Sequence, residues 1–212
     1  MTQRFDAIVF DFDGVLVESA DVKTRAFAAL YAEYGPAIEQ QVVAHHLDHA
    51  GISRYVKFRH YHEKLLGRPY SDAIGEELSA RFSRLVVDAI VAAPYVAGAL
   101  EFLENFHDRM PLFVASGTPD DELQEIVRRR GMQGYFKSVH GTPATKGEII
   151  AGIVRRHRLA ATRVVMIGDA MADHDGAREA GVAFVGRGGQ DSGVFPAGTN
   201  TIADLHALPQ LL

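Results

Sequence analysis

Near its amino terminus the chain reads Ala7-Ile8-Val9-Phe10-Asp11-Phe12-Asp13-Gly14-Val15. The first four residues of this stretch are apolar without alternation, which is typical of a strand buried on both faces of a parallel sheet. Asp11 and Asp13 follow this strand directly. Because open α/β sheets bind their ligands at the carboxyl ends of the strands, we expect both carboxylates at a functional site.

Two other interpretations of the Asp-x-Asp-Gly motif are a calcium loop and a polar turn that caps the strand. A calcium loop would need a third Asp or Asn before the glycine and a helix before the whole motif, and the sequence has neither. A polar turn stays open, because one such motif alone does not require a catalytic role. Motifs elsewhere in the chain are needed to distinguish a structural turn from a functional site.

Further apolar runs indicate several parallel strands. Each run is followed by turn residues, and helical patterns between them fit crossover connections. The runs occupy residues 112–115, 164–167 and 183–185, and the less apolar stretch 138–140 is a further strand candidate. The helices that follow 112–115, 138–140 and 164–167 occupy residues 119–130, 146–158 and 170–180, respectively. The predicted fold class is therefore α/β, with a doubly wound parallel sheet.

The long segment between the first two strands predicts an inserted helical bundle. About one hundred residues separate Phe10 from Leu112, whereas a crossover needs only one helix. We therefore expect a core formed by residues 1–17 and 93–212, with a helical insert over residues 18–92. Helical patterns cover residues 21–34, 36–49, 53–66, 71–92 and 97–106, of which the last belongs to the core.

Composition narrows the possible functions. A chain of 212 residues with 47% hydrophobic and 23% charged residues can form a packed core. The 22 basic and 27 acidic residues give a net charge of -5, which provides no general field for a polyanion, so we expect no nucleic-acid partner. The chain has no cysteine, which excludes thiolate catalysis and cysteine-ligated zinc. We expect no histidine-bound zinc either, since no acidic partner arrangement accompanies the histidines of the insert, which are His45, His46, His49, His60 and His62.

The sequence also predicts a cytoplasmic protein without a membrane span. The apolar run near the amino terminus is too short for a signal peptide. The longest apolar stretch, residues 86–100, is interrupted by Asp88, Pro94 and Gly98 and cannot cross a bilayer. The sequence leaves the oligomeric state open.

A second acidic pair, Asp169 and Asp173, follows the apolar run at 164–167. A spacing of four at the start of a helix places both carboxylates on one face. In the alternative interpretation, one aspartate caps the helix and the other is solvated by water. Such a structural role is common for a single acid at the start of a helix. Two acidic pairs at two strand ends repel one another, however, unless a divalent cation or a strong base lies between them. Oxygen ligands select magnesium in the cell, so Mg²⁺ is the expected cofactor.

Another strand end and a helix start complete the candidate site. Ser116 and Gly117 close the run at 112–115, and they offer a hydroxyl and backbone amides to an anion. Lys146 precedes a helix and can reach the same edge of the sheet. Alone, Ser116 would be a turn former and Lys146 a surface charge. Together with the four aspartates they suit phosphoryl transfer, in which metal, lysine and hydroxyl hold the charge on the phosphoryl oxygens.

The motifs, taken in order, resemble the four sequence motifs of the haloacid dehalogenase-like hydrolases. They are Asp11-x-Asp13-Gly14-Val15, Ser116, Lys146 and Gly168-Asp169-x-x-x-Asp173, and the match spans the chain. The resemblance implies a Rossmann-like core with a helical cap inserted after the first motif. It implies Asp11 as a nucleophile that forms an aspartyl-phosphate, Asp13 as general acid and base, and magnesium held by Asp11, the Asp13 carbonyl and Asp169. Asp173, one helical turn further on, would support these ligands from outside.

The resemblance favours a phosphate ester as substrate. Dehalogenases of this superfamily lack the second aspartate of the first motif, and phosphonate-cleaving members have a small residue there, whereas this chain has Asp13. The resemblance thus implies magnesium-dependent hydrolysis of a small phosphorylated metabolite, either a sugar phosphate or a phosphorylated small acid. A non-catalytic binding module is one alternative, and the complete set of charged motif residues argues against it.

A sugar-phosphate mutase is the other alternative. The stretch Gly51-Ile52-Ser53-Arg54 resembles the cap loop of β-phosphoglucomutase, whose arginine binds a substrate phosphate. Arg54 is therefore the candidate contact for the far end of the substrate, with Lys57 or Lys23 as alternates. Two departures count against mutase activity, since Lys23 stands where that family has a histidine and Glu18 where it has an aspartate.

Overall fold

The computed structural model describes residues 4–188 and 193–212, and the strands of this part form one parallel sheet. The strands are β1 (Ala7–Phe10), β2 (Leu112–Pro119), β3 (Ser138–Thr142), β4 (Val164–Gly168), β5 (Ala183–Arg187) and β6 (Thr201–Ile202). They lie in the order β3-β2-β1-β4-β5-β6, which confirms the predicted α/β class with a parallel sheet. The sequence did not predict β6, because two residues carry no recognisable pattern.

The central strand β1 brings the first motif beside two other strand ends. Phe10, its last residue, pairs in register with Val114 on β2 and with Ile167 on β4. Asp11 and Asp169, which follow β1 and β4, and Ser116, in the last part of β2, therefore lie at the same edge of the sheet.

The segment between β1 and β2 contains a helical insert. Its helices are α1 (Ala20–Tyr31), α2 (Pro36–Asp48), α3 (Arg54–His60) and α4 (Asp72–Ala92). A π-helical turn, Tyr61–Leu65, continues α3, so the helix predicted over 53–66 consists of two segments. The helices pack around buried aromatic rings, with the Phe27 and Phe82 ring centroids 4.5 Å apart and those of Phe27 and Phe58 5.9 Å apart.

The chain enters and leaves the insert at one place. Val17 and Tyr95 form an antiparallel bridge, and the Glu18 backbone N–H donates to the Pro94 carbonyl at 3.0 Å. These two connections lie side by side next to the first motif.

The remaining helices cover the two faces of the sheet. Ile8 and Phe10 face one hydrophobic cluster, and Ala7 and Val9 face the other, as expected of side chains that alternate along a strand. Helices α5 (Ala99–Phe106) and α6 (Asp120–Arg129) pack on the first cluster, whereas α7 (Lys146–Arg156) and α8 (Met171–Ala180) pack on the second. Among the described residues, no helix combines the length and the hydropathy that a membrane span requires.

Candidate active site

Asp11 lies at the carboxyl end of β1, where its backbone N–H donates to the Ile167 carbonyl at 2.9 Å. The residue is only 3% exposed. Lys146 Nζ lies 3.1 Å from Asp11 Oδ2, whereas Asp11 Oδ1 has no hydrogen-bond partner among the described residues. One oxygen of the carboxylate is therefore held by a lysine, and the other is available to a ligand.

The second acidic pair converges on Asp11. Asp169 follows β4 and Asp173 lies in the first turn of α8, and the two offer carboxylate oxygens that lie, with one of Asp11, within 4.8 Å of one another. Asp173 is fully buried and accepts hydrogen bonds from Lys146 Nζ and, at 3.1 Å, from the Ala170 backbone N–H. The structure thus brings together Asp11, Lys146, Asp169 and Asp173 at one edge of the sheet.

Gly14 is required for the close approach of Asp169 to the first motif. Its φ is +76°, in the left-handed region that side chains rarely adopt. A Cβ atom on Gly14 would lie 2.0 Å from Asp169 Oδ2. Any other residue at this position would therefore displace the Asp169 carboxylate.

Burial and, after it, the neighbouring charges shift the pKa values of the charged groups in the site. Burial raises the pKa of Asp11 well above its ordinary value, and the neighbouring carboxylates add to this, against the opposing effect of Lys146. Burial also raises the pKa of Asp169 to about 7, with a further contribution from Asp173. Burial alone would lower the pKa of Lys146, but the charges of Asp11 and Asp173 raise it. One ammonium group is shared by three carboxylates, so a further cation would stabilise their ionised forms.

The residues present fit a magnesium ion. The donor set consists of carboxylate oxygens, which Mg²⁺ prefers. It includes the buried Asp11 Oδ1, to which none of the described residues donates a hydrogen bond. Asp11, Asp169 and Asp173 form this group, whereas the Asp13 carboxylate is engaged elsewhere. The metal contact through the Asp13 carbonyl, which the family resemblance implies, stays a prediction.

Asp13 lies in a separate hydrogen-bond network at the mouth of the insert. Ser19 Oγ donates to its Oδ1 at 2.6 Å, and Lys23 Nζ and Thr118 Oγ1 donate to its Oδ2 at 2.5 and 3.2 Å. Lys23 Nζ also contacts Thr118 Oγ1 at 2.7 Å. Burial alone would raise the pKa of Asp13, but the Lys23 ammonium and these hydrogen bonds outweigh it and hold the pKa below its ordinary value. Asp13 is therefore ionised at neutral pH.

Ser116 and Gly117 lie in the last part of β2, beside the aspartates. Ser116 is 1% exposed, and its Oγ accepts a hydrogen bond from the Thr118 backbone N–H at 3.1 Å. Gly117 faces the insert, because a Cβ on it would lie 2.5 Å from the Gly51 carbonyl oxygen. The second motif thus lies at the junction between the core and the insert.

A cavity separates the sheet edge from the insert. Its empty volume, including the solvent-open mouth, is about 670 Å³. The core lines it with Asp11, Asp13, Ser116, Gly117 and Asp169. The insert contributes charged and polar side chains, which are Lys23, Thr24, His46, Arg54 and Lys57. The space suits a small molecule that contacts both parts of the chain.

Arg54, the predicted contact for the far end of the substrate, borders this cavity but is already paired. Its guanidinium forms a two-pronged ion pair with Glu122 at the start of α6, with one of the bonds at 2.9 Å. It also donates to Ser83 Oγ at 2.9 Å and lies over the Phe82 ring, 4.6 Å from its centroid. The contact between Arg54 and the substrate stays a prediction. In the structure, Arg54 joins the insert to the core through Glu122.

Sequence reasoning missed several residues of the site. Thr118 could have been found, because it lies two residues beyond Ser116 on the same strand end. Ser19 and Glu122 carried no signal, since each reaches the site through contacts that the sequence pattern does not reveal. Lys23, an alternate candidate for the substrate contact, lines the cavity and pairs its ammonium with Asp13, and its contact with the substrate stays a prediction.

Known proteins resemble this chain over its whole length. A 5'-nucleotidase of Pseudomonas aeruginosa is 28% identical over 226 aligned positions, covering 99% of this chain and 96% of the relative. A phosphoglycolate phosphatase of Vibrio parahaemolyticus is 27% identical and covers 88% of this chain and 85% of its own length. A crystal structure of a predicted phosphoglycolate phosphatase from Haemophilus somnus superposes with a TM-score of 0.79 at 17% identity, covering 100% and 99% of the two chains, which shows a shared fold.

The family assignment rests on a match that contains nearly all of the site. The model of the haloacid dehalogenase-like hydrolases matches residues 8–187, which include Asp11, Ser116, Lys146 and Asp169 as well as the insert. This match confirms the resemblance inferred from the motifs. The chain therefore belongs to the haloacid dehalogenase-like hydrolase family.

Proposed function

We propose that this protein is a magnesium-dependent phosphatase that hydrolyses a small phosphate monoester through an aspartyl-phosphate on Asp11. The observation that carries the proposal is the state of the Asp11 carboxylate. It is buried at the sheet edge, Lys146 contacts Oδ2, and Oδ1 has no hydrogen-bond partner in the described part of the chain. The carboxylate borders a cavity that Ser116 also lines. The names of the similar proteins, a 5'-nucleotidase and a phosphoglycolate phosphatase, support a phosphate ester as the substrate.

In the first step, Asp11 attacks the phosphorus in line with the leaving oxygen. The new bond joins the Asp11 carboxylate to phosphorus, and the ester P–O bond breaks. Asp13 delivers a proton to the leaving oxygen. Because Asp13 is ionised in the free site, this proton arrives with the substrate, and a phosphate monoester with a second pKa near 6 can carry it.

In the second step, water attacks the aspartyl-phosphate. Asp13 accepts a proton from the attacking water, the bond between Asp11 and phosphorus breaks, and inorganic phosphate leaves. The low pKa of Asp13 keeps it ionised for this role. The site then returns to its starting protonation state when Asp13 releases the proton.

The remaining groups hold the phosphoryl oxygens. The Ser116 hydroxyl, the Gly117 backbone N–H and the Lys146 ammonium can donate to them, which stabilises the charge spread over these oxygens during transfer. Asp11, Asp169 and the Asp13 carbonyl would hold Mg²⁺, with Asp173 in support. Magnesium supplies additional positive charge to the transferring group.

The insert would act as a mobile cap, with residues 18–92 as the cap and 1–17 and 93–212 as the core. In the structure the Gly51 carbonyl packs against Gly117, so the insert covers the strand ends. Closure excludes bulk water from the aspartyl-phosphate, and opening admits the substrate. The paired connections at Val17 and Tyr95 provide one place about which the insert can move.

The first prediction tests Asp11. Asp11→Asn should reduce turnover to near background because the amide is not a nucleophile, while the melting temperature stays close to that of the wild type. The measurement is inorganic phosphate release from a panel of phosphorylated metabolites, with magnesium and with a chelator. Asp121→Asn, at an exposed position on α6, is the matched control and should keep full activity.

Two outcomes would contradict the proposal. Activity of Asp11→Asn near that of the wild type would exclude the nucleophile, and wild-type activity that survives chelation would exclude the metal dependence. The same panel tests the mutase alternative, because transfer to a sugar hydroxyl would yield an isomeric sugar phosphate without accumulation of inorganic phosphate.

A further inference from the structure

The cations that line the cavity differ in their partners. Lys23 is paired with Asp13, and Arg54 is paired with Glu122. Lys57, on α3, also lines the cavity, but within the described part of the chain no carboxylate lies within ion-pair distance of its Nζ. Lys57 is therefore the cavity cation whose charge the described residues leave uncompensated.

Although no described carboxylate pairs with it, the Lys57 side chain is held in a fixed position. It is 2% exposed, its Nζ lies 2.8 Å from His46 Nδ1 and 3.4 Å from the His46 carbonyl oxygen, and it lies 5.4 Å from the centroid of the Phe27 ring. Burial, and then the neighbouring Lys57, lowers the pKa of His46 to about 3, so the ring is neutral and Nδ1 accepts from the ammonium. A neutral ring and a π face orient a cation, but they do not neutralise it.

The burial of an unpaired ammonium is unfavourable for the folded protein. Burial lowers the pKa of Lys57 to about 7, and the charges of Lys23 and Lys146 add to the effect. A buried cation of this kind is stabilised when an anion enters its surroundings. The cavity that Lys57 shares with Asp11 and Ser116 is where such an anion can enter.

We propose that Lys57 binds a second anionic group of the substrate, at the end away from the phosphate that is transferred. This inference rests on the proposed phosphatase function, which places the phosphate at Asp11. It narrows the substrate class to phosphorylated acids or bisphosphates and disfavours monophosphates with a neutral remainder. Lys57 is thus a specificity-determining residue contributed by the insert.

The test compares substrates that differ in this second group. The probes are 2-phosphoglycolate for a carboxylate, 1,3-propanediol bisphosphate for a second phosphate, and ethyl phosphate for a neutral remainder. The readout is kcat/KM for each probe with two anionic groups divided by kcat/KM for ethyl phosphate. Lys57→Met should lower this ratio about 10- to 100-fold for the preferred probe, as expected for loss of a charge-assisted hydrogen bond.

The control is the same substitution at an exposed lysine of the insert. Lys64→Met should leave the ratio unchanged, since Lys64 is exposed on the π-helical turn. A ratio that Lys57→Met leaves unchanged for both probes with two anionic groups would overturn the proposal. The probe whose ratio falls identifies the second group as a carboxylate or a phosphate.

A binding measurement separates this proposal from the proposed function. Titration calorimetry of the Asp11→Asn protein gives dissociation constants for the three probes without turnover. The site would be supported if a probe with two anionic groups bound more tightly than ethyl phosphate and if Lys57→Met abolished this difference, even if the wild type hydrolysed none of the probes. Equal affinities of Asp11→Asn for all three probes would overturn the role of Lys57, whatever the activity.

Discussion

At the scale of single residues, the site depends on how three carboxylates share one lysine. Lys146 contacts Asp11 and Asp173, and Asp169 lies close to both acids. When all are ionised, the group carries more negative than positive charge. Its stability therefore depends on pH and on added cations.

Magnesium should stabilise the protein more at about pH 8 than at about pH 5.5, because protons and metal compete for the same carboxylates. The pKa of Asp169 is about 7 in the folded site against 3.8 for an ordinary aspartate. Between pH 3.8 and about 7, Asp169 therefore binds more protons in the folded state than in the unfolded state. Without metal, the contribution of Asp169 to stability falls as the pH rises through this range. The measurement is the rise in Tm at saturating magnesium at each pH. An equal rise in Tm at both pH values would contradict the competition of protons and metal for these carboxylates.

The two acids of the fourth motif should differ in their effect on metal binding. Asp169→Asn should raise the magnesium concentration for half-maximal activity more than Asp173→Asn does. The reason is that Asp173 is already bonded to Lys146 and to the Ala170 N–H, whereas Asp169 has no such hydrogen bond to any residue that the structure describes. Loss of a supporting group costs about 10- to 100-fold in affinity or activity. Metal titrations with the reverse order would show that Asp173 is the direct ligand.

At the scale of elements, a nearly buried ion pair is one of the contacts that join the insert to the core. Arg54 on α3 and Glu122 on α6 are both nearly buried, with their side chains 4% and 8% exposed, and Ser83 of α4 bonds to both. Three helices therefore meet at a single charge pair. The pair therefore links two helices of the insert to one helix of the core.

Arg54→Ala should lower the free energy of unfolding by about 3–5 kcal/mol, because it leaves Glu122 buried without its partner. Arg81→Ala is the control on the same insert, since the Arg81–Glu33 pair is exposed and worth about 1 kcal/mol or less. Replacing Arg54 and Glu122 together by Met should recover much of the loss. Denaturant unfolding measures all three. If Arg54→Ala lost no more than Arg81→Ala, the pair would not hold the insert in place.

The same variant tests the sequence-based expectation that Arg54 contacts the substrate. A contact predicts a larger fall in kcat/KM for the preferred substrate than for nitrophenyl phosphate. A purely structural role predicts equal falls for both. Comparison of the two substrates at one temperature, below the melting transition of the variant, distinguishes the two roles.

At the scale of the whole molecule, the sequence predicted what depends on local pattern. Buried parallel strands are continuous apolar runs, so the sequence predicted the sheet. Asp11 and Asp169 directly follow two of these runs, so their position at the carboxyl edge of the sheet could be predicted as well. Contacts such as Arg54 with Glu122, 68 residues apart, were not, because they depend on how the insert packs on the core. The pairing of Lys23 with Asp13 has the same origin, and β6 is too short to leave a periodicity.

The two connections at Val17 and Tyr95 have a consequence for how such a protein can evolve. Because the insert begins and ends at adjacent residues of the core, its removal or exchange leaves only a short gap to close. A recombination event that replaced residues 18–92 would bring a different set of cavity-lining side chains, including the position of Lys57, and leave the order of the sheet strands intact. New substrate preferences can therefore arise by substitution of one continuous gene segment, while the residues that perform the chemical step are inherited unchanged.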